Sequence, residues 1–145
     1  MIVSQHSSPD PVEIFKLYES VDWQIDTRDM DKLCRALENS HIVITARDES
    51  GALLGLARTV SDDEVVCYVQ DVAVKPEFHR QGVGCALVRW LVERYAHCRY
   101  FLLTTDPDTT PEGSRNHAFY RRMGLHPLAD EGLTGFILPR DRTTR

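Results

Sequence analysis

A short glycine-containing stretch, residues 79–84 (HRQGVG), has the composition of an anion-binding turn. An apolar stretch ending at Val74 precedes it and an amphipathic segment follows, which predicts a strand, a turn and a helix. The backbone N–H groups in the first turn of a helix have no intrahelical partners and lie at the positive end of the helix dipole. Such a turn suits a phosphate or pyrophosphate. Arg80 adds a permanent positive charge at its rim.

The two better-known nucleotide motifs do not fit this loop. The sequence contains no G-x-x-x-x-G-K-[ST] motif, which argues against a nucleotide triphosphatase. The dinucleotide motif G-x-G-x-x-G fails at its third glycine, where Leu87 stands. Because a turn into a helix can require glycine for steric reasons alone, the loop by itself does not identify a ligand.

Two side chains outside the loop are candidates for proton transfer. Asp71 lies in the apolar strand before the loop, where burial would favour its protonated form and make it a useful base unless it is paired. Two other interpretations stay open: a bulge turns Asp71 away, or an arginine neutralises it. Tyr120, in a later helix, is a candidate general acid or a packing residue. Glu64 and Asp106 are further base candidates.

Composition limits the class of protein. A chain of 145 residues with 42% hydrophobic and 27% charged residues is predicted to form a single globular domain spanning residues 1–145. The net charge of −5 argues against a nucleic-acid partner and suits a cationic substrate such as an amine. The four cysteines include no C-x-x-C pair and the histidines show no metal-ligand spacing, so we expect free thiols and no metal. Without a signal peptide or a membrane-length apolar run, we expect a cytoplasmic protein that does not enter a membrane.

The apolar pattern predicts the elements that position these residues. Strands are predicted at 2–4, 41–47, 52–60, 64–74 and 100–105, with a closing strand pair near 125–127 and 133–138. Helices are predicted from Pro11, with Asp10 as N-cap, and over 29–39, 83–97 and 114–123, the last capped by Ser114. Hairpins before the loop predict antiparallel pairs, and the strand–helix–strand order around it predicts a parallel pair. The fold class is therefore α/β, with a central mixed sheet and helices on both faces.

For two of these elements, the sequence also predicts which residues share a face. In the first helix, Val12, Phe15 and Tyr18 share one face, and Ile14 and Leu17 share another. In the long strand, a regular alternation places Asp71 on one face with the apolar residues Val65, Cys67, Val69 and Ala73.

Two motifs together resemble the GCN5-related N-acetyltransferase (GNAT) superfamily. Residues 71–84 (DVAVKPEFHRQGVG) resemble its acetyl-CoA segment, and residues 116–125 (NHAFYRRMGL) resemble its second motif. The resemblance covers most of the chain, because the order of elements also fits. His79 stands where the family usually has Gln or Arg, which would make pyrophosphate binding depend on pH.

The resemblance implies an acyl-CoA N-acyltransferase fold and an acetyl-CoA-dependent enzyme that acetylates a primary amine by direct attack in a ternary complex. It implies that Tyr120 protonates the departing thiolate, and in such a reaction Asp71 is the candidate to accept the proton of the amine, directly or through water. It places acceptor-site walls at Tyr18, Trp23 and Arg28. The implied acetyl-CoA-binding residues are Val72, Ala73, Val74, His79, Arg80, Gln81, Gly82, Val83, Gly84, Cys85, Asn116, Phe119 and Tyr120.

Other functions are compatible with the same residues. The chain could be a non-catalytic CoA-binding or sensor domain, or an interaction module whose glycine loop is purely structural. Cys85 could be a nucleophile at a helix start, or a small residue that lets the backbone approach phosphate. The acceptor could be a small-molecule amine or a protein or peptide amine, because acceptor pockets are built from loops that vary freely. A homodimer is an expectation from the family alone.

Overall fold

A computed structural model describes residues 1–5 and 9–139 of the chain. The chain divides into two compact units, Met1–Leu103 and a second unit that begins at Thr104. The first unit contains a five-stranded sheet, and the second contains one long helix. None of the helices in the described ranges is both long and apolar enough to cross a membrane.

The first unit is built on a mixed sheet, as predicted. Its strands are β1 (Ile2–Gln5), β2 (Ile42–Arg47), β3 (Leu53–Ser61), β4 (Val66–Val74) and β5 (Tyr100–Leu103), arranged in that order. Its helices are α1 (Pro11–Ser20), α2 (Gln24–Thr27), α3 (Met30–Glu38) and α4 (Val83–Arg94). The first four strands pair antiparallel, and β5 runs parallel to β4. The short helix α2 was not predicted.

Helices cover both faces of this sheet, which confirms the predicted architecture. On one face, α4 packs Val83, Leu87 and Leu91 against alternate residues of β2 and β4. On the other face, α1 and α3 pack against the opposite side of the sheet. The residues buried on that second face are Ile14, Leu17, Tyr18, Leu33, Leu37, Val43, Leu53, Leu56 and Ala73.

The predicted face of α1 was wrong for Tyr18. Tyr18 is fully buried together with Ile14 and Leu17, whereas Val12 and Phe15 are exposed. Residues at positions i, i+3 and i+4 form one helical stripe, so Tyr18 completes the stripe of Ile14 and Leu17. The start of the helix was predicted correctly, since the Asp10 carboxylate accepts hydrogen bonds from the backbone N–H groups of Val12 and Glu13.

A bulge interrupts β4 at Gln70 and reverses the facing of the residues that follow. Arg58 pairs with Asp71, but the next residue of β3, Thr59, pairs with Val69, so Gln70 is the extra residue. Val69 therefore packs with α4, whereas Ala73 packs with α1. The prediction that Asp71 shares the face of Val69 was wrong, because a regular alternation ignores this inserted residue.

Thr45 in β2 is fully buried, and its hydroxyl has no hydrogen-bond partner among the described residues. Burying an unpaired hydroxyl is unfavourable, so we expect Thr45→Val to raise the free energy of unfolding by about 1 kcal/mol. Thr59→Val is the matched control, because the Thr59 hydroxyl lies 2.7 Å from the Tyr95 hydroxyl and its loss should destabilise the protein. Chemical denaturation of both variants measures the difference. A loss of stability in Thr45→Val would contradict the expectation.

The second unit contains α5 (Pro111–Arg122) and a 3-10 turn, Leu128–Glu131. The predicted cap, Ser114, was wrong: α5 begins at Pro111, and the Thr110 hydroxyl caps it by accepting from the Gly113 N–H at 3.0 Å. Thr-Pro places a capping hydroxyl directly before a residue preorganised for the first helical position. The end of the helix agrees with prediction, because Gly124 has a φ of 86°.

The predicted closing strand pair, 125–127 with 133–138, was also wrong. Neither segment is a strand in the structure. The chain instead makes the 3-10 turn, Gly132 takes a φ of 72°, and the Leu133 N–H bonds to the Leu128 carbonyl at 2.8 Å. An extended segment becomes a strand only beside a partner edge, and 133–138 has none among the described residues.

Candidate active site

β4 has an open edge in the half that precedes the glycine loop. β5 pairs with β4 only from Val66 to Val69 and ends at Leu103. β4 continues to Val74 and remains paired there with β3 on its other side. In the described part of the chain, residues 71–74 therefore have no strand on the β5 side. An extended ligand with amide groups could add to this edge as a further strand.

The glycine loop follows directly and has the conformation of an anion-binding turn. Arg80 and Gly82 take left-handed backbone angles, with φ of 61° and 84°. Gly82 is the N-cap of α4 and has no side chain to satisfy the N–H groups of the first helical turn. Arg80, Gln81 and Gly82 are exposed, so a ligand can reach the Arg80 guanidinium beside the start of the helix.

His79 is directed at the strand that precedes it. Its Nε2 lies 2.8 Å from the Val74 carbonyl oxygen, so Nε2 carries the hydrogen and donates it. This bond fastens the start of the loop to the end of β4. Gln81 makes a similar bond from its side-chain amide to the Glu77 carbonyl, at 2.8 Å. Both side chains therefore stabilise the loop through hydrogen bonds to nearby backbone carbonyls.

Gly55 of β3 is required by the close approach of the open strand. It pairs with Val74, and a Cβ at this position would lie 2.7 Å from the Ala73 carbonyl oxygen and 3.3 Å from Leu87. We expect Gly55→Ala to lower the free energy of unfolding by about 1–3 kcal/mol, because neither backbone nor core can yield without strain. Gly135→Ala is the control, because its nearest neighbour would be 3.8 Å away. Equal melting temperatures for the two variants would contradict the expectation.

Asp71 lies at the centre of a buried network on the α1 face of the sheet. Its Oδ2 accepts a hydrogen bond from the Tyr18 hydroxyl at 2.8 Å and another from Nε of Arg58. Only 12% of the Arg58 side chain and 10% of the Asp71 side chain are exposed. The network thus joins α1, β3 and β4 at the first residue of the open edge.

Burial and charge shift the pKa values of Tyr18 and Arg58 in this network. Burial raises the pKa of Tyr18 strongly, and the negative charge of Asp71 raises it further, so the phenol stays protonated. Burial alone would lower the pKa of Arg58, but the charge of Asp71 and its hydrogen bond reverse this, and the pKa is raised. The sequence left open whether Asp71 is unpaired, turned away by a bulge or neutralised by an arginine. The structure shows the arginine partner, Arg58. The bulge turns the carboxylate onto the α1 face and not into solvent.

The predicted acceptor residues are only partly brought together. The rings of Tyr18 and Trp23 meet edge to face with centroids 5.4 Å apart, and Trp23 is half-buried. Through the Tyr18 hydroxyl this aromatic pair is connected to Asp71. Arg28 is an exposed residue at the end of α2, and its side chain makes no hydrogen bond or ion pair with the other described residues.

Two residues near this network were missed from the sequence. Arg58 could have been found, because a charged residue in the otherwise apolar segment 53–60 needs an opposite charge on a neighbouring strand. Asp26 of α2 gave no sequence signal. Its pKa is raised, first by loss of hydration and then by the negative charge of Asp71, with Arg58 opposing.

In the second unit, the predicted cofactor residues Asn116, Phe119 and Tyr120 lie on α5 and are half-buried. The rings of Phe119 and Tyr120 meet edge to face with centroids 5.0 Å apart. Burial raises the pKa of Tyr120. The phenol is therefore fully protonated at neutral pH, which a general acid requires.

Cys85 lies in the first turn of α4 and is half-buried. Val83 and Gly84, which precede it, form the start of the same turn. The described residues contain no group of three His, Cys, Asp or Glu side chains that could hold a metal ion.

Comparison with known proteins gives one consistent result. The acetyltransferase (GNAT) family profile matches residues 9–125. The uncharacterized N-acetyltransferase ycf52 of Porphyra purpurea is 31% identical over 134 residues, covering 88% of this chain and 71% of that protein. Histone acetyltransferase TAP1 of Glycine max is 30% identical over 148 residues, covering 94% of this chain and 60% of that protein. The solved GNAT family protein SP0256 of Streptococcus pneumoniae superposes with a TM-score of 0.81 at 28% identity, covering 97% of this chain and 98% of that chain.

Proposed function

The chain belongs to the GNAT family of acetyltransferases, and on that basis we propose that it transfers the acetyl group of acetyl-CoA to a primary amine in a ternary complex. The observation that carries this proposal is the open β4 edge at 71–74, which leads directly into an uncapped helix start. An amide-containing arm and a pyrophosphate, joined in one ligand, match these two neighbouring features.

In this proposal, the backbone of Val72, Ala73 and Val74 pairs with the pantetheine amides, and the turn formed by residues 80–85 holds the pyrophosphate. His79 contributes by fixing the loop to the Val74 carbonyl, at 2.8 Å. Asn116 and Phe119 are proposed as further contacts from α5. The side chains of Val72 and Val74 still pack against the core, since the backbone and the side chain of one residue can serve separate purposes.

The proposed reaction is direct. The amine nitrogen attacks the thioester carbonyl carbon, and a backbone N–H of residues 72–74 stabilises the negative charge that develops on the carbonyl oxygen. The carbon–sulfur bond then breaks, and the thiolate takes a proton from the Tyr120 hydroxyl. The amide product keeps the nitrogen–carbon bond, and the amine proton leaves to a base.

Asp71 is proposed as that base, with only one of its two carboxylate oxygens available to accept the proton. Oδ2 is committed to Tyr18 and Arg58, whereas Oδ1 makes no hydrogen bond with the described residues. Oδ1 is therefore the oxygen that would accept the proton of the amine, directly or through water.

The acceptor is proposed to lie against the aromatic pair Tyr18 and Trp23. Half-buried Trp23 offers an apolar ring surface to the body of an amine, and the chain carries a net charge of −5, which attracts a cation. Arg28 would lie at the exposed margin of this surface. These features favour a small-molecule amine with an apolar or aromatic body over a protein amine.

The test is a thiol-release assay with acetyl-CoA and a panel of arylalkylamines, polyamines, aminoglycosides, amino acids and lysine peptides. We expect amine-dependent release of CoA with at least one small amine. A rise in melting temperature with CoA, but no release across the panel, would overturn catalysis in favour of a CoA-binding domain. No thermal shift at saturating CoA would overturn the cofactor site as well.

A substitution at Arg80 tests pyrophosphate binding separately from the other proposed contacts. We expect Arg80→Ala to raise KM for acetyl-CoA by about tenfold or more, because a charge-assisted contact contributes about 1.5–3 kcal/mol. Arg89→Ala is the matched control, since Arg89 is an exposed arginine on α4, the helix that follows the loop. With acetyl-pantetheine, which lacks the pyrophosphate, Arg80→Ala should behave as the unsubstituted protein. An equal loss with both thioesters would contradict a pyrophosphate contact.

A further inference from the structure

Asp26 carries a carboxylate that has no partner and lies beside the proposed acceptor surface. It belongs to α2, and its backbone N–H donates to the Trp23 carbonyl at 3.2 Å. Its side chain makes no hydrogen bond or ion pair with the other described residues. The proposed acetyl transfer gives this carboxylate no task, so it is free to bind a group of the acceptor.

The position of Asp26 is set by bonds that tie both ends of α2 to α1. At the start, the Trp23 N–H donates to the Tyr18 carbonyl at 3.0 Å. At the end, the buried Thr27 hydroxyl donates to a carboxylate oxygen of Glu19. Asp26 comes one helical turn after Trp23, and side chains at this spacing are neighbours. An aromatic ring and a carboxylate are therefore presented together at the acceptor surface.

Asp26 is also the carboxylate of this region that lacks a counterion. Loss of hydration and then the charge of Asp71 raise the pKa of Asp26, while Arg58 and Lys32 oppose the rise. Asp71 and Arg58 neutralise each other in their ion pair. Among the described residues, neither Lys32 nor Arg28 forms an ion pair with Asp26. A partly desolvated charge without a counterion is unfavourable, and a cationic ligand would remove that cost.

The cation that suits Asp26 is not the nitrogen that reacts. The attacking nitrogen must be neutral to use its lone pair, and Oδ1 of Asp71 is the proposed acceptor of its proton. A charged carboxylate best stabilises a group that stays charged throughout the reaction. An acceptor with a second ammonium meets both needs: one nitrogen lies near each carboxylate, and the carbon chain between them lies against the Trp23 ring.

We propose that Asp26 is a specificity-determining residue that selects diamines and polyamines as acceptors, by binding the ammonium group that does not react. This inference rests on the proposed acetyl transfer and adds the class of acceptor to it. A monoamine with the same carbon chain makes the other contacts and lacks this one. The ratio of kcat/KM between a diamine and its matched monoamine therefore measures the contribution of Asp26.

The first test measures thiol release from acetyl-CoA with matched acceptors, putrescine and cadaverine against butylamine and pentylamine. Per primary amine, we expect kcat/KM for each diamine to exceed that for its monoamine by about tenfold. Asp26→Asn should bring this ratio close to one. Asp31→Asn is the matched control, because Asp31 is an exposed aspartate on α3 whose side chain makes no hydrogen bond with the described residues. It should keep the ratio.

The second test measures the same preference without turnover, by calorimetric titration of the CoA-bound protein with cadaverine and pentylamine. We expect tighter binding of cadaverine, and Asp26→Asn should abolish the difference. Equal kcat/KM values for the two kinds of amine, a ratio that survives Asp26→Asn, or an equal loss in Asp31→Asn would each overturn this inference and leave the acetyl transfer standing. Tighter binding of cadaverine through Asp26 without thiol release from acetyl-CoA would instead overturn the transfer and keep this site.

Discussion

Replacing Arg58 by methionine should lower the free energy of unfolding by about 3–5 kcal/mol. The substitution leaves the Asp71 carboxylate buried, with 10% of its side chain exposed, and with the Tyr18 hydroxyl as its remaining partner. A buried charge without a counterion is strongly unfavourable. We expect a melting temperature lower by about 10 °C or more, measured by thermal denaturation.

A second ion pair in the same unit provides the control. Arg47 binds Glu13 in a two-bond contact, at 2.8 and 2.7 Å, but 20% and 34% of the two side chains are exposed. Arg47→Met should therefore cost about 1 kcal/mol or less. Adding Asp71→Asn to Arg58→Met should restore stability, because the amide oxygen still accepts from Tyr18 and no charge is buried. Equal losses in the two methionine variants, or no restoration, would contradict a buried charge pair.

The order of elements and the mixed sheet could be predicted from local patterns. Asp10-Pro11 signals a helix start by its own chemistry, and the apolar run after Ser61-Asp62 signals a covered strand. The bulge at Gln70 could not be predicted, because it exists only in the pairing between β3 and β4. The facing of Asp71 depends on that one residue, so the predicted surroundings of Asp71 were wrong.

The turn at the glycine loop was predictable because glycine and the helix start encode its backbone geometry locally. The direction of His79 was not, since it is set by the Val74 carbonyl that the loop approaches only after folding. The structure of residues 133–138 could not be predicted either. Their pattern predicts a strand, but a strand forms only where a partner edge is present, and local sequence does not supply that edge.

Tyr120→Phe should lower kcat by about tenfold or more and leave the affinity for CoA nearly unchanged. The substitution removes only the hydroxyl that is proposed to protonate the departing thiolate, and the ring that packs against Phe119 remains. Tyr100→Phe is the matched control: Tyr100 is another half-buried tyrosine, on β5, and loses the same single atom. Its kcat should not change.

Thioesters with different leaving thiols distinguish a general-acid role of Tyr120 from a packing role. A thiol with a low pKa leaves without being protonated, so the kcat defect of Tyr120→Phe should shrink when acetyl-CoA is replaced by an acetyl thioester of an aryl thiol. Because burial raises the pKa of Tyr120, the unsubstituted enzyme should keep its acid protonated throughout the neutral range and lose it only at strongly alkaline pH. A defect of equal size with both thioesters would show that the hydroxyl acts by packing or binding, and the departing thiolate would then need another proton donor.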